Sequence, residues 1–364
     1  MKISIENKVL LEVLTQVWKF RGKEIQQNIL FTATEEGFTF QATDGEVTYV
    51  RHLPLVNGEQ VNGKVEVAGE ILLPLKFEQI ARKLEMSTLS LEVKENELLV
   101  KQAKTTAKVV LIKGEFPTVP KGEKGEGLRL SKEALALLVN QTAFSAADHD
   151  SRPVLKAIHM EAGEDGFKII ATDSHRLSQK LISNKINLPT LNIPAKKLSN
   201  VIDTIEEGSS IDLIPYGNYI LLVTPNSEIY IRQLEGTYPD VSKLVINKAK
   251  SKVKVKSKEM LSAIDRALTF VKSDNNRKIT MKTEDNLLKM FSSADEGSIE
   301  QFIDVEVEGE AIDITFNANY AVAAIKSFQQ ETITFHIEDT SRPFFILSDD
   351  DPTLTQLVLP VRTK

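Results

Sequence analysis

The chain contains no cysteine, which excludes disulfides, thiolate metal sites and a cysteine nucleophile. Its five histidines, His52, His149, His159, His175 and His336, are scattered, and none lies three or four residues from another, the spacing that pairs ligands on a helix. Neither G-x-x-x-x-G-K-[ST] nor G-x-G-x-x-G occurs, so no glycine loop is present to cradle a nucleotide phosphate. No uncharged run approaches membrane-spanning length, and the first apolar stretch carries Glu6 and no small-residue cleavage site. The expectation is an unexported, cytoplasmic protein that needs no metal and no cofactor. Positive charge is also in deficit: 45 lysines and arginines face 51 acidic residues, a net charge of -6 that argues against a uniformly basic nucleic-acid binder. Net charge leaves open where the charges sit.

At 364 residues and 41% hydrophobic, the chain can fill two or three domains. An internal repeat supports three. Phe77, Ile80, Ala81 and Leu84 follow Pro74 at the spacing of one helix face; Leu198, Val201, Ile202 and Ile205 repeat the pattern after Pro194, and Ala321, Ala324, Ile325 and Phe328 repeat it after Asn317. The period is about 121 residues, a third of the chain. A second helix precedes each of these. Val9, Leu10, Val13, Leu14 and Val17 run up to Phe20; Leu135, Leu138, Val139 and Thr142 run up to Phe144; Met260, Leu261, Ile264 and Leu268 run up to Phe270. Ser131-Lys132-Glu133 and Ser257-Lys258-Glu259 announce the second and third copies, with the serine expected as cap and the glutamate complementing the positive helix end. Pro74 and Pro194 suit a first helical turn.

Elsewhere the period changes to two, as in Ser90–Val93, Ile211–Ile214 and Ile333–Ile337, which predicts half-buried strands, with turns at Glu95-Asn96 and Tyr216-Gly217-Asn218. Closing strands follow at Val109–Ile112, Ile229–Ile231 and Leu357–Val361. The unit is therefore α+β, two helices with antiparallel strands. A charged, glycine-rich stretch at 121–127 reads as an exposed linker, and a lysine-rich junction lies near 246–254. The expected domains are 1–121, 128–246 and 247–364. Periodicity alone is equally compatible with a tandem array of no shared function.

The most distinctive string is Ala171-Thr172-Asp173-Ser174-His175-Arg176-Leu177, with a degenerate copy at Ala42-Thr43-Asp44-Gly45-Glu46-Val47. Adjacent Asp, Ser and His invite a hydrolase reading, but neighbours in sequence rarely aim at one another and no G-x-S-x-G elbow exposes Ser174. A turn at a strand end, with Asp and Ser side chains bonding local backbone, is the expected role. Lys8, Lys19, Lys76, Arg82, Lys83, Lys132, Lys196, Lys197, Lys258, Arg266 and Lys326 all fall on or beside the six helix segments, while the acidic runs 349–351 and 306–310 lie elsewhere. An acidic chain can thus carry a basic lining, although lysine is common on any solvated helix face.

These residues resemble the beta subunit of bacterial DNA polymerase III, the sliding clamp. The matches are Ala171–Leu177, Glu235-Gly236-Thr237-Tyr238-Pro239-Asp240, Ile264-Asp265-Arg266-Ala267, Phe316-Asn317, Ser341-Arg342-Pro343-Phe344 and Leu357–Arg362. The resemblance covers the whole chain and is strongest over 128–364. It implies the DNA clamp fold: three similar domains, each with two helices and antiparallel sheets, closing as a head-to-tail homodimer into a ring that encircles duplex DNA without reading sequence. DNA would be met by Arg21, Lys76, Lys83, His149, Arg152, Lys196, Lys197 and Arg266. A pocket for short peptides from the polymerase catalytic subunit, clamp loader and repair proteins would comprise Leu155, Thr172, Ser174, His175, Arg176, Leu177, Ile246, Asn317, Tyr320, Pro343, Leu357, Leu359 and Val361. The dimer seam would join Thr106 and Lys108 to Thr269 and Phe270. The implied function is that of a processivity factor without catalysis.

The chain departs from the family pattern in places. Arg21 leads into Gly22–Leu30 without the usual proline, Pro153 and Val154 stand where some members have tyrosines, and Thr106 and Lys108 replace apolar seam residues. A lysine at the seam is expected to weaken it unless a carboxylate answers the charge. A divergent second clamp would carry such changes. The alternative function is a weakly dimerising peptide-docking adaptor that does not retain DNA.

Overall fold

A computed structural model describes residues 1–164, 166–182, 187–271 and 277–361; Arg362, the end of the terminal motif, lies outside the described residues. Helices form where the apolar spacing predicts them: α1 (Asn7–Val17), α2 (Leu75–Ala81), α3 (Lys132–Thr142), α4 (Ala195–Ile202), α5 (Ser257–Leu268) and α6 (Ala318–Lys326). Each buries most of its predicted stripe, with Val9, Ile80, Leu84, Leu261 and Leu268 only partly covered. Leu10, Val13, Leu14 and Val17 of α1 and Met260, Ala263, Ile264 and Ala267 of α5 are almost wholly removed from water. Burying one large aliphatic side chain is worth roughly 1.5–3 kcal/mol, so the stripe outweighs the indifferent helix propensity of Val and Ile.

The helix starts differ in detail from expectation. Ser257 is the first residue of α5, not its cap; its hydroxyl donates to the carbonyl of Gln330 at 3.0 Å, tying the helix to a distant loop. Lys256 occupies the capping position and pairs with Glu259 at 3.4 Å. Pro74 stands one residue before α2 in extended backbone, where its missing N–H is not needed. Asn317 does cap: its Oδ1 accepts from Asn319 N at 2.9 Å at the head of α6.

The chain packs as two compact units, residues 1–133 with 200–233 and residues 134–199 with 234–364. In the first, strands Thr105–Val110, Glu97–Gln102, Thr88–Lys94, Lys2–Glu6 and Gly63–Val67 form one antiparallel sheet in that order. A second sheet has eight strands running from Leu128–Ser131 at one edge to Gly69–Leu73 at the other. At its middle, Ser227–Arg232 pairs with Val47–Pro54, so the closing strand of the second sequence repeat completes a sheet begun in the first.

The other unit repeats this construction. Its nine-stranded sheet runs from Leu191–Pro194 to Glu306–Gly309, and at the corresponding joint Arg176–Ile182 pairs with Leu354–Val358, with Leu177 opposite Leu357. A four-stranded sheet ends in Gly297–Asp304. No helix among the described residues is long and apolar enough to cross a membrane.

Glu133, in the first turn of α3, accepts a hydrogen bond from Gly208 N at 2.8 Å, which holds its carboxyl down to about 2 from an ordinary 4.5. Because the folded value lies below the unfolded one, this contribution is complete above about pH 4.5 and disappears as pH falls through about 2. Glu133→Gln is therefore expected to lower the melting temperature at pH 7. The difference from the parent should shrink steadily below pH 4.5 and vanish near pH 2, as a melting series across pH will read.

Candidate functional site

Thr172 ends strand Gly166–Thr172 and Arg176 begins strand Arg176–Ile182, and side chains build the turn between them. Asp173 Oδ1 accepts from His175 N at 2.8 Å and Arg176 N at 3.0 Å, and Thr172 Oγ1 accepts from Ser174 N at 3.1 Å while donating to Arg176 O at 2.6 Å. Ser174 takes a positive φ of 76° at the turn's apex. The degenerate copy builds the same turn. Asp44 accepts from Glu46 N and Val47 N at 3.0 and 2.8 Å, and Gly45, with φ 88°, stands where Ser174 does. The string is thus a turn in both places, as its side-chain chemistry predicts.

That turn also fixes the side chains around it. Asp173 Oδ2 also accepts from Arg176 Nε at 2.9 Å, so the carboxylate is directed at the guanidinium and not at the His175 ring. The guanidinium carbon of Arg176 in turn lies 4.6 Å from the Tyr320 ring centroid and 5.7 Å from that of Phe144. The His175 ring lies 6.3 Å from the Tyr320 ring with planes 18° apart. Partial burial, followed by the nearby Asp173 carboxylate, pushes the Tyr320 phenol above its ordinary range, so it stays a neutral donor at neutral pH.

Leu177, just past the turn, enters the core. Leu155, Leu177 and Leu357 belong to one buried cluster with Tyr238, Val241 and Phe345. The terminal segment then runs along the turn: Leu359 N donates to His175 O at 2.9 Å, Pro360 bridges Phe316, and Val361 N donates to Thr315 O at 2.8 Å. Leu359 stays 36% exposed and Val361 partly so, leaving apolar surface open beside the turn. Such a site can take an extended segment with apolar anchors, oriented by Arg176, His175 and the Tyr320 hydroxyl.

Of the residues expected here, Thr172, Ser174, His175, Arg176, Leu177, Tyr320, Leu155, Leu357, Leu359 and Val361 take part in these contacts, while Asn317 caps α6 at the head of the helix that carries Tyr320. Ile246 is 55% exposed, and its neighbour Val245 is the residue packed against the cluster. Pro343 is partly buried just before strand Phe344–Leu347. Sequence reasoning passed over Asp173, Phe144, Val241 and Phe345 as site residues. Asp173 was visible in the motif itself; the others lacked a local signal.

The basic residues expected to meet DNA are mostly at the surface. Arg21, Lys76, Lys83, His149, Arg152, Lys196 and Arg266 are exposed, and Lys197 is half-buried. Two are held in place: the Arg21 guanidinium sits 5.5 Å over the Trp18 ring, and Arg266 Nε donates to Gln301 Oε1 at 2.7 Å. His149 Nδ1 bonds the Ser151 hydroxyl at 2.7 Å.

The expected seam residues lie at two outer strands. Thr106 and Lys108 are exposed on Thr105–Val110, the outermost strand of its sheet, and a carboxylate does answer the lysine: Glu97 of the adjacent strand lies 3.6 Å from its Nζ. Thr269 follows α5, exposed, and Phe270 is half-buried against Gly297, at the start of the outer strand Gly297–Asp304. That strand and its neighbour leave Phe302 and Phe291 46% and 40% exposed.

Comparison with known proteins accounts for nearly the whole chain. Residues 1–120, 129–240 and 243–362 match, in order, the N-terminal, central and C-terminal domains of the DNA polymerase III beta subunit. The beta sliding clamp of Bacillus subtilis (strain 168) is 27% identical over 379 aligned positions, covering 100% of both chains, and that of Staphylococcus aureus is 27% identical over 348, covering 93% of this chain and 92% of the relative. The crystal structure of the Bacillus subtilis DNA polymerase sliding clamp superposes with a TM-score of 0.94 at 26% identity, and a Streptococcus pneumoniae DNA polymerase III beta chain with 0.94 at 25%, each covering 100% of both chains.

Proposed function

The chain belongs to the DNA polymerase III beta subunit family, the bacterial sliding clamps, and from that premise we propose that two copies close head to tail into a ring that holds a replicative polymerase on duplex DNA. One observation carries this reading: three different domains of the family are matched end to end and in order. The same ranges support domains at 1–121, 128–246 and 247–364.

The proposed work is mechanical, carried out in the cytoplasm without catalysis. Arg21, Lys76, Lys83, His149, Arg152, Lys196, Lys197 and Arg266 meet phosphates loosely, and the net charge of -6 keeps DNA from the remaining surface. Contacts of this kind screen with salt and read no bases, so the ring slides. The pocket around Arg176, Tyr320 and Leu359 receives short peptides of the polymerase, the clamp loader and repair proteins, in agreement with the apolar cluster and few polar groups there.

Closure uses the two outer strands, Thr105–Val110 of one copy and Gly297–Asp304 of the next, whose open edges each lack a neighbour within their own sheet. The Lys108–Glu97 pair is largely exposed within one copy and contributes little by itself. On closure its desolvation opposes the apolar contact that Phe270 and Phe302 offer. Lys108→Leu is accordingly expected to tighten the dimer about tenfold, roughly 1.4 kcal/mol, as read from sedimentation at graded concentration.

Molar mass in solution across a dilution series at moderate salt tests the ring. Twice 40.6 kDa, maintained on dilution, is the expected result. A monomer at micromolar concentration would leave only a peptide-docking adaptor.

A further inference from the structure

The sequence repeat places two similar segments after two similar strands: Ile112-Lys113-Gly114-Glu115-Phe116-Pro117-Thr118-Val119 and Leu234-Glu235-Gly236-Thr237-Tyr238-Pro239-Asp240-Val241. Their beginnings are held alike, Leu111 N donating to Asn96 O at 2.8 Å and Gln233 N to Asn218 O at 2.9 Å. Beyond that point they diverge. The second segment is laced to the edge strand Leu191–Pro194: Leu234 N donates to Asn192 O at 2.9 Å and Asn192 Nδ2 donates to Gly236 O at 3.2 Å. Its Tyr238 lies flat on His159, ring centroids 4.3 Å apart, and is buried.

In the first segment both hydrogen bonds are missing, the side-chain one for a chemical reason. By strand register Leu72 stands where Asn192 does and Leu30 where His159 does, so the amide that ties the segment down has become an aliphatic side chain. Among the described residues no backbone hydrogen bond joins 112–119 to the edge strand Gly69–Leu73. The segment is held further along, by Gln41 Nε2 donating to Pro117 O at 2.8 Å. An open cleft of about 840 Å³ is left between the segment and the strand. Leu30, Leu72 and Phe116 supply its apolar surface, and Ile112 at its rim is 50% exposed. Glu70, Glu95 and Glu115 line it against a single cation, Lys113.

We propose that this cleft is a second docking site, for an extended peptide segment of a partner protein with one or two apolar anchors flanked by lysine or arginine. The open edge of Gly69–Leu73 offers backbone pairing to an added strand, the aliphatic wall takes the anchor, and the acidic rim selects the flanking charge. The site is separate from the pocket around Arg176 and Tyr320, so one copy can hold two segments.

The test uses the full chain and a fluorescein-labelled heptapeptide alternating lysine with leucine and phenylalanine, beside a twin with glutamate for lysine, read by anisotropy and by amide exchange. The lysine peptide is expected to bind at least about tenfold tighter than its twin and to slow exchange over 70–73 and 112–117. Ile112→Glu, at an exposed position that the fold does not need, is expected to weaken it at least about tenfold, and Glu95→Lys with Glu115→Lys to abolish the preference between the twins. The proposal is overturned if protection appears only around Leu155, Leu177 and Leu357, if Ile112→Glu binds as the parent does, or if the twins bind equally. It is also overturned if 70–73 in the free chain already exchange as slowly as 191–194, which would mean that the chain's own segment closes the cleft.

Discussion

Gln356→Ala is expected to destabilise the unit comprising 134–199 and 234–364 by about 3–5 kcal/mol, a large change for one exposed-strand-like sequence position. Gln356 lies on strand Leu354–Val358, which starts three residues ahead of where the sequence placed the closing strand, and is 1% exposed on the same face as buried Leu354 and Val358. Its Oε1 accepts from Ser178 Oγ at 2.5 Å, and its Nε2 donates both to Gln141 O and to Ser327 Oγ, each at 2.9 Å. Ser178 also bonds Ser145 at 2.6 Å, and Ser327 donates to Ala324 O at 2.6 Å. Three separate parts of the unit, Gln141 on α3, Ser178 on the paired strand and Ser327 just past α6, therefore meet at one amide. Truncation strands several buried polar groups at once, and each such loss is worth roughly 1–3 kcal/mol. Gln356→Met, which fills the volume but bonds nothing, should recover little. Native-state amide exchange over 354–358 reads the effect without requiring the whole chain to unfold in one step; protection equal to the parent in the alanine variant would refute it.

Tyr320→Ala combined with Leu359→Ala is expected to weaken a short clamp-binding peptide by roughly 2–3 kcal/mol, about 30- to 150-fold. Tyr320 does two jobs at the pocket. Its ring carries the Arg176 guanidinium at 4.6 Å and stacks with His175, and its hydroxyl remains a neutral donor. Leu359 supplies exposed apolar surface beside the turn while its backbone N–H holds the turn through His175 O. Alanine at 359 keeps that N–H, so the fold is preserved while the anchor surface is lost. Tyr320→Phe should retain most of the affinity, because ring contact and not the hydroxyl positions Arg176. A titration in which the double variant binds as the parent does would remove both residues from the pocket.

The helices were legible because each needs only its own stretch of sequence: apolar residues at 0, 3, 4 and 7 define a face wherever they occur, and all six helices appear at those places. The hairpin turns were legible for the same reason, with Glu95 and Gly217 at positive φ where turns were expected. The Asp173 turn was readable from its side-chain chemistry, and its repetition at Asp44 made the reading firmer.

What was not legible is non-local. The pairing of Ser227–Arg232 with Val47–Pro54, and of Arg176–Ile182 with Leu354–Val358, joins residues more than a hundred positions apart, and neither partner carries a mark of the other. The partners of Gln356 follow from that assembly, since Gln141, Ser178 and Ser327 all lie far from it or outside its strand in sequence. The same holds for the buried cluster, where Phe345 meets Leu155 only after the sheet is assembled. Lys108 is instructive in the opposite sense. Its partner Glu97 lies across a short hairpin and follows from the register once the turn is placed, so the answered charge could have been read in advance. Ser257 was misplaced because a serine before an apolar stripe looks like a cap, whereas its hydroxyl is drawn to Gln330 across the fold.

The most direct test of the central claim is retention on DNA of different topology. The chain is assembled on a nicked circular duplex by a clamp loader, separated from free protein at a salt concentration that screens surface contacts, and compared before and after the circle is cut. A ring predicts protein that stays with the circle through the separation and is lost once a free end is made, since encirclement and not phosphate affinity holds it. Equal retention on circular and linear DNA, or none on either, would contradict a ring that encloses the duplex.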